Sequence, residues 1–409
     1  MRMMTAAMAF ALVLCGALAL AGEKVAEDPF QSPFANPSGG AAKVDAVFVL
    51  DSTGSMGGLI EGAKRKVWAI AQAILSGDPK PQVRFGLISY RDLGDEYVTK
   101  VFDLNADLDK VYENLRDFKA NGGGDEPESV AQALTEAVTK MSWTDDKKTL
   151  RIIFLVGDAP PHTDYNNGFD YKKAVKMAAD KDIRVNAVQC GNVASTAKFW
   201  KEIAEGGKGE YAAILQDGGM RMIATPADDK IAEISRKLGG TAVAYGGAGA
   251  RAEADKKVAM LEKMDSGALA DRAGYVREAA APGVAAPMAA KAMGFGGWDL
   301  IAAVEAKTVK LEEVKEADLP EDMKKMTADE RKAHVDKKIA ERAALRAELT
   351  KLSKERDEYI AKKTKEGGGA KDAFDAKVMD MLKKQAAEKG IKYADDKPVA
   401  PAPEKTETK

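Results

Sequence analysis

Short apolar runs alternate along residues 43–239 with longer segments whose apolar positions recur every third or fourth residue. Val44, Ala46, Val47, Phe48, Val49 and Leu50 form an almost unbroken run, the pattern of a strand buried on both faces of a parallel sheet. Residues 150–156 repeat it with equal intensity, 83–89, 184–190 and 211–215 read as further strands, and 97–102 as a weaker one. Between them the spacing predicts helices over 59–75, 108–118, 129–141, 171–181 and 196–204, with 228–238 closing the series. Such alternation implies an α/β fold with a mostly parallel sheet covered by helices.

After Gly239 the pattern changes. Residues 240–297 are rich in Ala and Gly and read as a linker or weakly helical region, with helical stretches near 253–264 and 267–278. Residues 298–392 read as a helical, partly coiled-coil-like extension. It opens with a short ordered segment that stops at Pro320. Thr327-Ala328-Asp329-Glu330 is a capping box that starts a long charged helix over 331–366, and Gly367-Gly368-Gly369 ends it. The charge run reads as a solvated helix face. Val335, Leu345, Leu349, Leu352 and Tyr359 lie near heptad spacing, but Lys338, Arg342 and Arg356 interrupt the seam. A seam broken that often makes a poor coiled coil, so a monomer is favoured. Residues 373–388 form an amphipathic helix with Phe374, Val378, Met381 and Leu382 on one side, and 393–409 is a polar tail expected to be disordered.

The amino terminus adds a compartment. Arg2, the apolar run over 6–20 and Ala19-Leu20-Ala21 before Gly22 fit a cleaved secretory signal over 1–21, followed by a Pro/Ser/Gly linker over 22–42. A lipid anchor at Cys15 is the rival, opposed by the bulky Leu14 before it. The expected location is the periplasm or outside the cell, with no membrane span after cleavage. Cleavage leaves Cys190 as a lone core thiol, so no intramolecular disulfide is expected. Lys and Arg number 62 against 64 Asp and Glu, mixed along the chain, which gives no footprint for nucleic acid.

Candidate chemistry lies in three loops that should converge at the carboxyl edge of the sheet, where open α/β folds bind ligands. They are Asp51-Ser52-Thr53-Gly54-Ser55, Gly122-Gly123-Gly124-Asp125-Glu126-Pro127-Glu128, and Gly157-Asp158-Ala159-Pro160-Pro161-His162. A carboxylate with hydroxyls at alternate positions offers the hard oxygens that magnesium takes at about 2.1 Å. The same residues have plainer readings. Asp51 and Ser55 could cap the following helix, and Asp125 with Glu128 has the spacing of a helix start with an acid in its first turn. Capping and coordination stand level for Asp125. His162 is more often neither ligand nor proton carrier. Tyr90-Arg91-Asp92 reads as structural, with local pairing or capping.

With these loops the chain resembles the von Willebrand factor type A family over about residues 43–239. The resemblance implies a doubly wound sheet and a metal-ion-dependent adhesion site. Asp51, Thr53 and Ser55 match its D-x-S-x-S element, with Thr53 in place of the middle Ser, and Asp158 matches its third-loop Asp. Asp125 stands where a Thr is usual. The G-G-G-D-x-P-E run and Tyr90-Arg91-Asp92 look most like the branch with hemicentin-type and alpha-kinase-associated domains. An extra carboxylate there would hold an ion more tightly and neutralise it more.

An enzyme is not expected. The apolar strand with Asp-x-Thr is similar to haloacid-dehalogenase phosphatases, but Thr53 stands where those need a second Asp. Only His162 and His334 occur, no Ser-His-Asp set is evident, and no phosphate-cradling Gly-x4-Gly-Lys-Ser/Thr is present. The expected function is metal-dependent protein binding or adhesion through magnesium (or manganese or calcium). Asp51, Thr53, Ser55, Asp125 and Asp158 are the candidate ligands, and one open position would take an Asp or Glu of a protein partner. The alternative is a structural envelope protein that interacts through its helical carboxyl-terminal region, the metal only stabilising the fold. A metal-dependent hydrolase is third.

Overall fold

The computed structural model describes residues 42–124, 126–279, 297–367 and 373–393. The expected signal peptide, all of the linker but its last residue, Asp125 and all of the polar tail after Tyr393 lie outside the described residues. Six strands form one sheet in the order β3-β2-β1-β4-β5-β6. They are β1 (Lys43–Asp51), β2 (Gln82–Tyr90), β3 (Thr99–Asn105), β4 (Thr149–Gly157), β5 (Ile183–Cys190) and β6 (Lys208–Ile214). Every neighbouring pair is parallel except β2 with β3. This is the doubly wound, mostly parallel α/β architecture that the alternation and the resemblance imply. The weak strand begins at Thr99, later than expected, and the Tyr97 hydroxyl before it is held by Ser52 and Ser89 at 2.9 and 2.8 Å.

The pleat of the central strands divides the core. Val44, Ala46, Phe48 and Leu50 of β1 face one way with Leu150, Ile152, Phe154 and Val156 of β4. Val47 and Val49 face the other way with Ile153 and Leu155. The second face is covered by α3 (Val130–Thr139), α4 (Tyr171–Asp180) and α5 (Ala194–Gly206). The first is covered by α1 (Gly57–Leu75) and α2 (Leu108–Arg116), which reach only part of it.

The alternation places the closing helix at 228–238, but α6 (Asp228–Gly239) points Ile231, Ile234 and Leu238 into a separate cluster. That cluster is shared with α7 (Ala248–Lys263), α8 (Ser266–Ala279) and the long charged helix. After α9 (Leu300–Glu305) and the single turn α10 (Glu321–Lys324), this is α11 (Ala328–Gly367). The open part of the sheet is filled by the last helix, α12 (Phe374–Ala387). Phe374 lies 6.3 Å from the Phe48 ring, which itself stacks on Phe154 at 5.2 Å. A reciprocal amide pair joins Asn186 of β5 to Gln385 at 3.2 and 2.7 Å, so the buried polar atoms there are satisfied. At its start, the Phe374 amide donates to Gly218 O at 2.9 Å.

The capping box forms as expected: Thr327 N donates to Glu330 Oε2 at 2.7 Å and Glu330 N to Thr327 Oγ1 at 3.3 Å. The reading of α11 as a merely solvated face needs correction. Arg342 is 0 % exposed and bonds Asp299 at 2.7 Å and Thr241 at 2.9 Å. Arg356 is buried between Asp228 at 2.7 Å and Asp271 at 2.8 Å. These seam arginines fold inward because acids far away in sequence receive them, and Val335 and Leu349 are buried with them. A similar ion cluster joins α2 to α7 and α8. Asp109 takes two bonds of 2.8 Å from Arg272 and a contact of 3.3 Å from Lys257. No helix among the described residues is long and apolar enough to cross a membrane.

Two outcomes follow from this packing. Phe374→Ala should cost about 3–5 kcal/mol, the usual loss for a buried aromatic, measured by urea unfolding of the whole chain. The second concerns acid. Burial opposes ionisation of Asp109, yet the Arg272 and Lys257 charges bring its pKa down to about 2. Its folded value lies below its unfolded one, so the stability it contributes is present above about pH 4 and is lost as pH falls through about 2. Between about pH 5 and pH 2, the wild type should lose roughly 2 kcal/mol more than Asp109→Asn does.

Candidate metal centre

β1 and β4 lie side by side at the point where the chain turns outward in opposite directions, so their carboxyl ends open into one crevice. Asp51 is the last residue of β1 and Gly157 the last of β4, which brings Asp51 and Asp158 to the same edge. Gly157 permits the approach, since a β-carbon there would stand 2.5 Å from the Tyr90 hydroxyl and 3.1 Å from Asp51 Oδ2.

Asp51 is 0 % exposed. Its Oδ1 accepts from Thr53 N at 2.8 Å and from Thr53 Oγ1 at 2.7 Å, while its Oδ2 has no hydrogen-bond partner. Thr53 Oγ1 and Ser55 Oγ lie 3.4 Å apart. Neither Asp51 nor Ser55 caps α1: its flanking residues, and those of the 3-10 turn Gly54–Met56 before it, show no side-chain cap. Asp158 Oδ2 accepts from Gln216 Nε2 at 2.6 Å, and the same amide reaches Ser55 O at 3.4 Å. Asp125 lies outside the described residues.

The three loops are tied by their main chains. Gly54 N donates to Gly122 O at 3.1 Å and Asn121 N to Ser52 O at 3.0 Å. Glu128 N donates to Pro160 O at 2.9 Å, and Glu128 O accepts from His162 N at 3.1 Å. Arg91 and Asp92 are structural, as read, but their partners are in other loops. Arg91 donates to Ser52 O at 3.2 Å and Lys119 O at 2.7 Å, while Asp92 accepts from Ser129 Oγ at 2.8 Å and Tyr165 at 2.5 Å. His162 stacks on Tyr165 with ring centres 3.7 Å apart and bonds Asp164 at 2.8 Å.

The edge is short of positive charge. Burial pushes the Asp51 carboxyl up to about 7 against the Thr53 hydrogen bonds, and the Asp158 charge adds to the rise. Burial, followed by the charges of Asp51, Asp92, Asp95 and Asp158, pushes Glu128 up to about 9. Among the described residues no group of three or more His, Cys, Asp or Glu is spaced to hold a metal ion. The chemistry of the oxygen donors nevertheless fits a hard divalent cation: Asp51 has an orphaned buried carboxyl oxygen, and the hydroxyls of Thr53 and Ser55, two residues apart, lie in the same loop. Sequence reasoning noticed Glu128 only for its helix-start spacing and passed over Gln216. The position of Gln216 just beyond the end of β6 was the available signal.

Residues 45–226 match the family model described as von Willebrand factor A domain. The chain is similar to alpha-protein kinase vwkA of Dictyostelium discoideum, with 27% identity over 31% of this chain and 20% of that protein. It is also similar to von Willebrand factor A domain-containing protein 7 of Rattus norvegicus, with 36% identity over 28% of this chain and 12% of that one. The crystal structure of the SpRpn10 VWA domain aligns over 43% of this chain and 89% of its own at 16% identity, with a TM-score of 0.33. The chain thus spans a fifth or less of these two curated relatives. On the family match and the geometry of its sheet edge, residues 45–226 belong to the von Willebrand factor A domain family.

Proposed function

We propose that this is an exported protein whose sheet edge binds a divalent cation, most simply magnesium, and through it an acidic side chain of a protein partner. Asp51, Thr53, Ser55 and Asp158 would hold the ion, with Asp125 a further candidate. When bound, the ion would supply a charged contact for a carboxylate in place of water. The observation that carries this reading is the buried, unpartnered Asp51 Oδ2 beside the Thr53 and Ser55 hydroxyls. A role in protein–protein interaction or adhesion is general to von Willebrand factor A domains, which supports the partner class. The absence of a second Asp after Asp51 and of a Ser-His-Asp set favours holding over reaction. Export rests on the leader pattern of residues 1–21.

The structural alternative asks the carboxyl-terminal helices to do the binding. Against it, α12 spends its apolar side on the sheet and α11 buries its seam arginines within the chain.

Two experiments test the reading. Magnesium or manganese should raise the melting temperature, by the equivalent of about 2.7 kcal/mol at a hundredfold excess over the dissociation constant. Asp51→Ala should abolish that shift; an equal response in both proteins would place the ion elsewhere. Separately, a protein ligand held in magnesium should be released by chelator and recaptured when magnesium returns. Binding indifferent to chelator would favour the structural alternative.

A further inference from the structure

Two buried carboxyl oxygens at this edge have no hydrogen-bond partner: Asp51 Oδ2 and Glu128 Oε2. A buried polar atom left unpaired costs about 1–3 kcal/mol, and more when it is charged. Such atoms are rare enough in folded proteins that each needs an explanation, and an ion is one of the few available. Two of them at one edge point to a single shared cause.

Glu128 is held where the three loops meet. Its main chain is fastened to the third loop through Pro160 and His162, two and four residues past Asp158. Its side chain reaches toward the first loop. A β-carbon on Gly123 would stand 3.2 Å from Glu128 Oε1 and 3.1 Å from Thr53 Cβ, so only the bare glycine backbone, at φ +81°, separates them. The residue is 3 % exposed, which denies Oε2 to bulk water.

The surrounding groups do not supply the missing partner. Arg91 is engaged by Ser52 O, Lys119 O and Glu96. Both Asp92 oxygens are taken, Oδ1 by Ser129 and Oδ2 by Tyr165, and Asp95 Oδ2 accepts from Gly123 N. Ser129, the only hydroxyl residue in 121–129, donates to Asp92 and gives nothing to Glu128.

We propose that Glu128 is a ligand of the cation, contributed by the second loop. The proposal rests on the reading that this edge binds a divalent cation. It would add a second-loop carboxylate to the first-loop and third-loop ligands, and it separates Glu128 from its neighbour Asp125.

The test is calorimetric titration of the full chain with magnesium chloride and manganese chloride, with melting temperatures taken in parallel. Wild type is compared with Glu128→Gln, which keeps the shape and removes the charge, and with Asp125→Asn. Glu128→Gln should weaken both metals at least tenfold and shrink the metal-induced rise in melting temperature. Its metal-free melting temperature should not fall, since the side-chain oxygen it replaces has no hydrogen-bond partner. Metal affinity within twofold of wild type would overturn the assignment, and loss confined to Asp125→Asn would pass the role to that residue. Should Glu128→Gln not fold, Glu128→Asp shortens the reach by one methylene and should also weaken binding; wild-type affinity there would overturn the proposal equally. A wild type that binds neither metal defeats the whole cation site, an outcome distinct from a wild type that binds and a Glu128→Gln that binds just as well.

Discussion

A parallel sheet carries apolar side chains on both faces, and neither face can be left to water. That demand governs this chain more than any single contact. β1 and β4 are buried almost end to end, and their alternate residues feed two separate cores. α3, α4 and α5 satisfy one face from the segments between successive strands. On the other face α1 and α2 leave a gap that no intervening segment fills, and the chain closes it with α12.

Once both faces are sealed, the carboxyl edge is where main-chain and side-chain polar groups must gather, because the strands end there and helices begin. The protein gathers acids without matching bases. Burial then works against ionisation of Asp51 and Glu128, while Arg91 is turned to carbonyl oxygens that fasten the loops. The opposite policy rules the α2–α8, α6–α11 and α8–α11 contacts, where Asp109, Asp228 and Asp271 each meet an arginine. Breaking such a buried pair by removing one partner costs about 3–5 kcal/mol. The contrast between paired acids in the helical layer and unpaired acids at the edge is the chemical signature of the edge.

Much of this was legible in the residues. The intensity of residues 44–50 and 150–156 located the two central strands, and Asp51, Thr53, Ser55 and Asp158 announced themselves by position after them. The capping box at Thr327 was readable because all its partners lie within one turn. What was hidden depends on distance along the chain. Arg342 and Arg356 look like solvent charges until Asp299, Asp228 and Asp271 are brought beside them. Phe374 looks like one side of an isolated amphipathic helix until Phe48 is seen beneath it. Glu128 was visible as a helix-start residue, but nothing local reveals that its carboxyl oxygen lacks a partner.

The bond from Phe374 N to Gly218 O, 2.9 Å long, ties the start of α12 to the segment that follows β6. β6 ends at Ile214, and four residues later Gly218 meets Phe374, the first residue of α12, across that one hydrogen bond. Topologically, then, residues 219–373 are an insertion between the last strand and the helix that finishes its cover. The entropy cost of closing such a segment grows only slowly with its length, which is why so long an insert can be tolerated. Its root lies two residues from Gln216, whose amide holds both Asp158 and the main chain of Ser55. The inserted helices therefore begin beside the rim of the candidate metal centre, while the Asp109 contacts with Arg272 and Lys257 anchor them a second time, to α2.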